Sequence, residues 1–279
     1  MTDDAARRGW MDRHLSWFAD YFGVLIVGQS VHTDRFHSVG AKVELDGGPA
    51  WLRVVYADPE WGVGEYLDGN VTAGELDLPR PHVLRWLERE DEGRRLRAEL
   101  QTYIAARPIA PGMILTSEPE LPEPWFDRLR EILDQLAAHP SPRSGLDPDD
   151  LDHGIRAFFG VGISTRSVPW TSAHCDLHWN NLTAPELFLL DWEIWGKAPA
   201  GYDAATLYCA SLLTPDANSN IQHTLGRHLQ TTAGRIATLA AAVRFLRFVD
   251  EGQYSPLAAP LHAAAHSALI NLSPINGLS

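Results

Sequence analysis

The chain is short of lysine and of cysteine. Lys42 and Lys197 are its only lysines, and every other basic side chain is arginine. The formal net charge is −13. A surface with that balance offers no basic face for a phosphate backbone or an anionic bilayer, so neither nucleic acid nor membrane is expected as a partner. It suits a cationic small molecule, and it equally suits plain solubility. Cys175 and Cys209 form no C-x-x-C pair and are too few for a disulfide framework. Cys175 is expected to be a small buried filler. Long apolar runs are missing as well. Stretches such as Ile236–Val243 fall well short of the about 20 residues that span a bilayer. The N-terminal MTDDAARRGWMDRH has no apolar core of the kind a secretory signal carries. These absences lead to the expectation of a soluble, cytoplasmic protein, as a monomer or a homodimer.

A length of 279 residues with 45% hydrophobic and 21% charged side chains fits an ordinary globular chain, either one large domain or two lobes sharing a cleft. Ten tryptophans are many for this length, and some are expected to line a pocket. Residues 10–22, WMDRHLSWFADYF, carry Trp10, His14, Trp17/Phe18 and Tyr21/Phe22 at helical spacing, which predicts an amphipathic helix packed on a sheet. From Leu25 the pattern turns to strands: Leu25–Val27, Ser38–Leu45 and Ala50–Tyr56, with Asp46-Gly47-Gly48-Pro49 as a turn. The loop from Gly28 to His37 could cover phosphates through backbone N–H groups and the hydroxyls of Ser30 and Thr33. On the strand AWLRVVYA, period-two alternation puts Arg53 on one face with Trp51 and Val55. Arg53 is a candidate phosphate cation and Lys42 its rival. Glu65 and Glu75 are candidates to pair with it, in a stretch whose glycines at 62, 64, 69 and 74 allow at most a short or broken helix. A second hairpin follows, PRPHVLRWLERED and RLRAELQTYIAARPI about Glu92-Gly93, and a Pro/Gly-containing linker occupies 108–124. Beyond it the pattern is helical. WFDRLREILDQLAAH places Phe126, Leu129, Ile132/Leu133 and Leu136 on one stripe, and Asp147–Asp152 opens another helix. The chain closes with helices over 221–250 and 256–272.

Residues 172–193, SAHCDLHWNNLTAPELFLLDWE, interrupt that helical half with what reads as two short strands and a turn. An H-x-D-x-x-x-x-N run followed by a strand ending in Asp has the layout of a phosphoryl-transfer site. Such a site needs one carboxylate beside an acceptor hydroxyl, and an amide oxygen with a second carboxylate to hold Mg²⁺ against nucleotide phosphates. Asp176, Asn181 and Asp191 stand at those places. A metal-dependent hydrolase is the alternative, because His174, Asp176 and His178 would share one face of an extended strand.

HCDLHWNN, LLDWE and GYDAA together resemble the aminoglycoside phosphotransferase family, which includes choline-kinase-like small-molecule kinases. AWLRVVY, LPRPHVL and AELQTYIAARPI resemble its third, fourth and fifth strands and hinge. The resemblance implies an α+β, bilobal protein-kinase-like fold. Its β-rich N-terminal lobe would span 1–107, with a hinge about 101–107. The helix-rich C-terminal lobe would span 108–279, with an embedded catalytic hairpin. It implies that Asp176 orients or deprotonates the acceptor hydroxyl, and that Asn181 and Asp191 bind Mg²⁺. Arg53, with Glu65 and the Ser30 loop, would hold ATP or GTP, and Gln101, Thr102, Tyr103 and Ile104 would meet the purine. His174 and Asp203 would support the catalytic loop, Asp203 also serving as a helix N-cap. Trp179 stands where the family often has Pro and, with Glu193, is a candidate acceptor contact. The acceptor implied is a hydroxyl of an antibiotic or a related amino or sugar metabolite, cationic or nucleoside-like. Glu118, Glu120, Glu123, Asp147, Asp149 and Asp150 are the acids that favour a cationic one, and resistance or self-protection is the implied role. The stretch from Asn181 to Asp191 is short for the family and the phosphate loop lacks its glycines. A catalytically weak nucleotide-binding pseudokinase is the corresponding alternative.

Overall fold

The computed structural model describes residues 3–33, 37–57 and 65–272; the side chains of Asp3, Glu65 and Tyr66 lie outside the described part. The chain divides into two compact units, Met1–Ala105 and Ala106–Ser279.

The first unit begins with helix α1 (Asp3–Phe22). Strands β1 (Leu25–Ile26), β2 (Val31–His32), β3 (Ser38–Leu45) and β4 (Gly48–Ala57) follow, then the short helix α2 (Glu65–Thr72) and strands β5 (Val83–Asp91) and β6 (Arg94–Thr102). Every pairing is antiparallel, in the order β1-β3-β4-β6-β5, with β2 also on β3. The β5–β6 turn falls at Glu92 (φ 50°) and Gly93 (φ 75°), the two successive positive dihedrals that match strand twist in a two-residue hairpin. Two-residue alternation then gives the sheet two faces. Ala50, Leu52, Val54, Tyr56, Leu96, Ala98 and Leu100 face α1, where they bury Trp10, Met11, Leu15, Phe18, Ala19 and Phe22. Each large apolar side chain so covered contributes about 1.5–3 kcal/mol. The helical stripe therefore takes Phe18 and Phe22 inward, while Trp17 and Tyr21 stay exposed and stack on each other at 5.6 Å. Arg89 lies over Trp17 at 4.4 Å.

The other face of β6 carries Arg97, Glu99 and Gln101, all buried. Arg97 fastens α2 to the sheet. Its Nη1 donates to the Leu67 carbonyl (2.6 Å), its Nη2 to Asp68 and Glu88 (2.6 Å each), and its guanidinium lies over Trp86.

In the second unit, β7 (Arg107–Pro108) pairs with β9 (Thr183–Ala184), and β8 (Trp170–Ala173) pairs with β10 (Gly196–Pro199). The helices are α3 (Glu123–Ala138), α4 (Pro148–Phe159), α5 (Tyr202–Ala210), α6 (Pro215–Leu229), α7 (Thr232–Asp250) and α8 (Ala258–Asn271). Helix α3 buries the stripe expected of it together with Trp125. Asp147 caps α4 by accepting from the Asp149 N–H at 2.9 Å. The stretch expected as a linker is bonded along the central motif: Ile109 donates to Leu182 O (2.9 Å), Trp179 to Met113 O (3.4 Å) and the Asn180 amide to Ala110 O (2.7 Å). Helix α7 is buried on most sides, with Ile236, Leu239, Ala240, Val243, Phe245 and Leu246 all inside. Among the described residues no helix is long and apolar enough to cross a membrane.

The two neighbouring aromatics of α1 give a direct check on its orientation. Phe18→Ala should lower the unfolding free energy by about 3–5 kcal/mol, and Trp17→Ala by under about 1 kcal/mol. Denaturant titration measures both, and equal losses would mean that the helix buries a different face.

Candidate active site

The loop that carries Asp176 begins where β8 ends. The chain leaves Ala173 and turns sharply at Cys175, whose φ of 66° lies in the left-handed region. A non-glycine residue there costs of order 1–3 kcal/mol and needs surrounding structure to hold it. Asp203, in the first turn of α5, supplies the hold. One of its oxygens accepts the His174 N–H at 2.7 Å and the other the Cys175 N–H at 3.0 Å. Burial pushes the Asp203 carboxyl up, and His174 and these two N–H groups act against it. Asp203 is not the N-cap of α5. Gly201 caps that helix with φ 91°, and a Cβ there would stand 2.9 Å from the His228 carbonyl. Cys175 is the buried filler expected of it. Its thiol sits so close to Gly145 that a Cβ on the glycine would lie 2.4 Å from Sγ, and burial raises that thiol's pKa.

His174 ties the two arms of the motif together. Its Nε2 lies 2.9 Å from the Leu190 carbonyl, and its Nδ1 accepts from the Asp176 N–H at 3.3 Å. Both ring nitrogens are thereby occupied. The turn at Cys175 also breaks the strand alternation that would have aligned His174, Asp176 and His178. Among the described residues no group of three or more His, Cys, Asp or Glu is arranged to hold a metal ion, so the geometry does not carry the hydrolase alternative.

Asp176 is partly exposed, with 22% of its side chain accessible. Burial alone would raise its carboxyl; the Arg244 guanidinium, then His178 and His174, reverse this and hold it below the usual carboxylate range. Arg244 reaches Asp176 Oδ1 from α7 through Nη2, and its Nη1 donates to the Cys175 carbonyl at 2.9 Å. His178 is kept neutral chiefly by burial, and its Nε2 lies 3.4 Å from Asp176 Oδ1. Asn181 donates its amide nitrogen to the Asp176 carbonyl at 3.0 Å, which leaves Oδ1 as the atom able to meet a cation. The return arm is brought alongside by Leu190 N–H to Asn181 O (2.9 Å), next to Asp191, itself at φ 62°. A Leu182–Leu189 bridge, rather than a second full strand, closes this short hairpin. An amide oxygen and a carboxylate are hard donors of the kind Mg²⁺ takes, and one or two protein oxygens suffice when phosphates and waters complete the shell.

Both expected acceptor contacts lie elsewhere. Trp179 is fully buried, donates to Ser211 Oγ at 2.9 Å and stacks on Trp125 at 6.2 Å, so it is a core residue. Glu193 is buried, and its carbonyl accepts from Arg143 at 3.3 Å.

In the first unit, Arg53 stands opposite Glu99 in the β4–β6 register. Glu99 is the carboxylate beside it. Burial raises its pKa, Arg53 and Gln101 oppose that, and its Oε2 accepts from Asn70 (3.0 Å) and Gln101 (2.8 Å). Glu75 is exposed on a short 3₁₀ turn, and the Glu65 side chain, like residues 34–36 and 58–64 with Gly62 and Gly64, lies outside the described part. Lys42 lies over the Tyr103 ring at 5.0 Å. The Ser30 hydroxyl donates to Asp12 Oδ1 (3.2 Å), an oxygen shared with His32 (2.8 Å), so its hydrogen is spent on α1 rather than on a phosphate. Gln101 and Thr102 are likewise engaged, Gln101 by Glu99 and Thr102 by His82 through both N–H and hydroxyl. Tyr103 and Ile104 follow the end of β6. Glu99 escaped the sequence because strand alternation reads its face as the solvent face. Arg244 escaped it because no local spacing links it to a loop 68 residues away.

No family model and no curated protein matches the sequence. Solved structures do match in shape. An apo thermostable mutant of aminoglycoside phosphotransferase APH(4)-Ia superposes with a TM-score of 0.59 at 16% identity, covering 93% of this chain and 99% of that one. APH(3'')-Id from Streptomyces rimosus gives 0.53 at 14% identity over 87% and 98%, and an aminoglycoside-3'-phosphotransferase of type VIII gives 0.53 at 18% over 82% and 97%. The chain has the aminoglycoside phosphotransferase fold. It is an α+β, protein-kinase-like fold, with an antiparallel sheet in the N-terminal part and helices in the C-terminal part. Within that fold the brace on the catalytic loop can be weighed. Asp203→Ala would strand two buried N–H groups at about 1–3 kcal/mol each, so the loss in unfolding free energy should be about 2–6 kcal/mol. A loss under about 1 kcal/mol in denaturant titration would reduce Asp203 to a residue of the helix start.

Proposed function

We propose that the protein transfers the γ-phosphoryl group of ATP or GTP to a hydroxyl of a small molecule. The observation that carries this reading is the arrangement about the catalytic loop. Asp176 is held as a carboxylate, Asn181 has its amide nitrogen tied to the Asp176 carbonyl (3.0 Å), and Asp191 is drawn alongside Asn181 by the Leu190 bond. Phosphoryl transfer asks little covalent chemistry of a protein and much positioning, and this loop is braced at every turn. The fold adds support, since solved neighbours include APH(4)-Ia complexes with AMP-PNP and hygromycin B.

The roles divide as follows. Asp176 accepts the hydrogen of the acceptor hydroxyl and aims its oxygen. Asn181 Oδ1 and the Asp191 carboxylate hold Mg²⁺, which neutralises charge on the phosphates when bound. Arg53, kept in place beside Glu99, meets the phosphates, and the backbone at Tyr103 and Ile104 meets the purine. His174 and Asp203 fix the loop. The acceptor is a hydroxylated antibiotic or sugar-like metabolite, and where it is an antibiotic the reaction protects the cell.

Substitutions separate these roles. Asp176→Asn should lower kcat by about 10²–10⁴-fold while Mg²⁺-nucleotide still binds by calorimetry; unaltered turnover would remove Asp176 from its role. Asp191→Ala should weaken nucleotide binding only when Mg²⁺ is present. Arg53→Ala should raise the nucleotide KM more than Lys42→Ala does, and the reverse order would transfer the phosphate contact to Lys42.

A further inference from the structure

The charges around Asp176 narrow the class of acceptor, and this inference rests on the kinase reading above. Four of the six acids that favoured a cationic acceptor, Glu118, Asp147, Asp149 and Asp150, are engaged in holding the second unit together, while Glu120 and Glu123 are exposed. The Glu118 carboxylate accepts the Asp216 and Ala217 N–H groups at 3.0 and 2.8 Å, at the start of α6. Asp147 caps α4. Asp149 pairs with Arg166, and Asp150 takes both Nη atoms of Arg247 at 2.8 Å. Asp152 accepts the Thr165 N–H at 2.7 Å.

The group beside the base is a cation. Arg244 projects from α7 one helical turn before Arg247, and 22% of its side chain remains accessible next to an equally accessible Asp176. Its partners are Asp176 Oδ1, the Cys175 carbonyl and the Tyr202 hydroxyl. A guanidinium has five N–H donors, so three partners leave two N–H groups for a further ligand. A polycationic ring brought to Asp176 would meet this guanidinium at close range, and the base's own charge is already matched by it. A carboxylate or phosphate on the incoming molecule would instead find a planar, permanently charged donor suited to bidentate contact.

We infer that the acceptor carries an anionic group, a carboxylate or phosphate, within a few bonds of the hydroxyl that is phosphorylated, and that Arg244 is the residue that binds it. The reaction forms the bond from the acceptor oxygen to the γ-phosphorus and breaks the bond from that phosphorus to the β-γ bridging oxygen. The hydroxyl proton leaves by way of Asp176, and the nucleoside diphosphate departs. Acceptors of this kind are hydroxy acids, sugar acids and sugar phosphates.

The test is a nucleotide-consumption screen of the full-length wild-type protein with Mg²⁺ and either ATP or GTP. The panel is built in matched sets: hydroxy acids, sugar acids and sugar phosphates, their neutral amides or parent sugars, and aminoglycosides. Anionic members should exceed their neutral counterparts at least 10-fold in kcat/KM. Because Arg244 also pairs with Asp176, Arg244→Gln should lower kcat for every acceptor, but it should raise KM by 10-fold or more only for the anionic one, and Arg244→Lys should recover part of that KM. Preferential turnover of aminoglycosides or neutral members overturns the inference, as does an Arg244→Gln rise in KM that is the same for every acceptor. Mg²⁺-dependent nucleotide binding by calorimetry with no anionic member phosphorylated overturns it too and leaves the nucleotide site standing. Failure of the wild-type protein to bind nucleotide overturns the kinase reading itself.

Discussion

Two hydrogen bonds from consecutive backbone N–H groups to one buried carboxylate govern the loop that carries Asp176. Asp203 receives His174 and Cys175 together, and only with both bonds made can Cys175 stay in a left-handed conformation that its side chain disfavours. That turn sets the direction of Asp176. It also places His174 where its two nitrogens join the outgoing arm to the returning one at Leu190. The carboxylate is expensive to bury, and charge-assisted bonds to N–H groups are among the few interactions strong enough to offset it. A glycine at 145 and another at 196 complete the arrangement, since each lies against its neighbours too closely for a side chain.

The first unit solves a related problem by different means. One face of its sheet is filled by α1 with apolar side chains. The other buries charge: Arg97 against Asp68 and Glu88, and Glu99 among Asn70, Gln101 and Arg53. Buried charges survive where each is paired and bonded. The network doubles as the attachment of α2, because Arg97 and Asn70 bridge from strand to helix, or from helix to strand. Charge placement and helix docking are in this way one feature.

Much of the fold was legible in residue order. The Glu92-Gly93 turn, the stripe of α3 and the helix start at Asp147–Asp152 were each announced by local pattern, because each depends on neighbours a few positions apart. The closeness of Asp176, Asn181 and the arm that carries Asp191 was legible for a related reason: the loop that joins them is short. Contacts made across the chain were not. Trp179 looked like a stacking surface because nothing nearby discloses Trp125 and Ser211 as its partners. Glu99 drew no notice because the alternation that defines a buried apolar face is blind to a second, polar one. Arg244 sat in the apolar run AAAVRFLRF with no sign of the loop it reaches. The cap assigned to Asp203 was off by two residues, since Gly201 holds that position.

The enclosure of Cys175 has one more consequence. Both cysteines are buried, and this thiol is packed against Gly145 and Gly196, with Sγ 3.6 Å from the Gly196 carbonyl. A reagent or oxidant can reach it only through an opening that separates these backbones. The thiol thus acts as a clock for this loop: the rate of its modification in the native protein reports how often the loop comes apart.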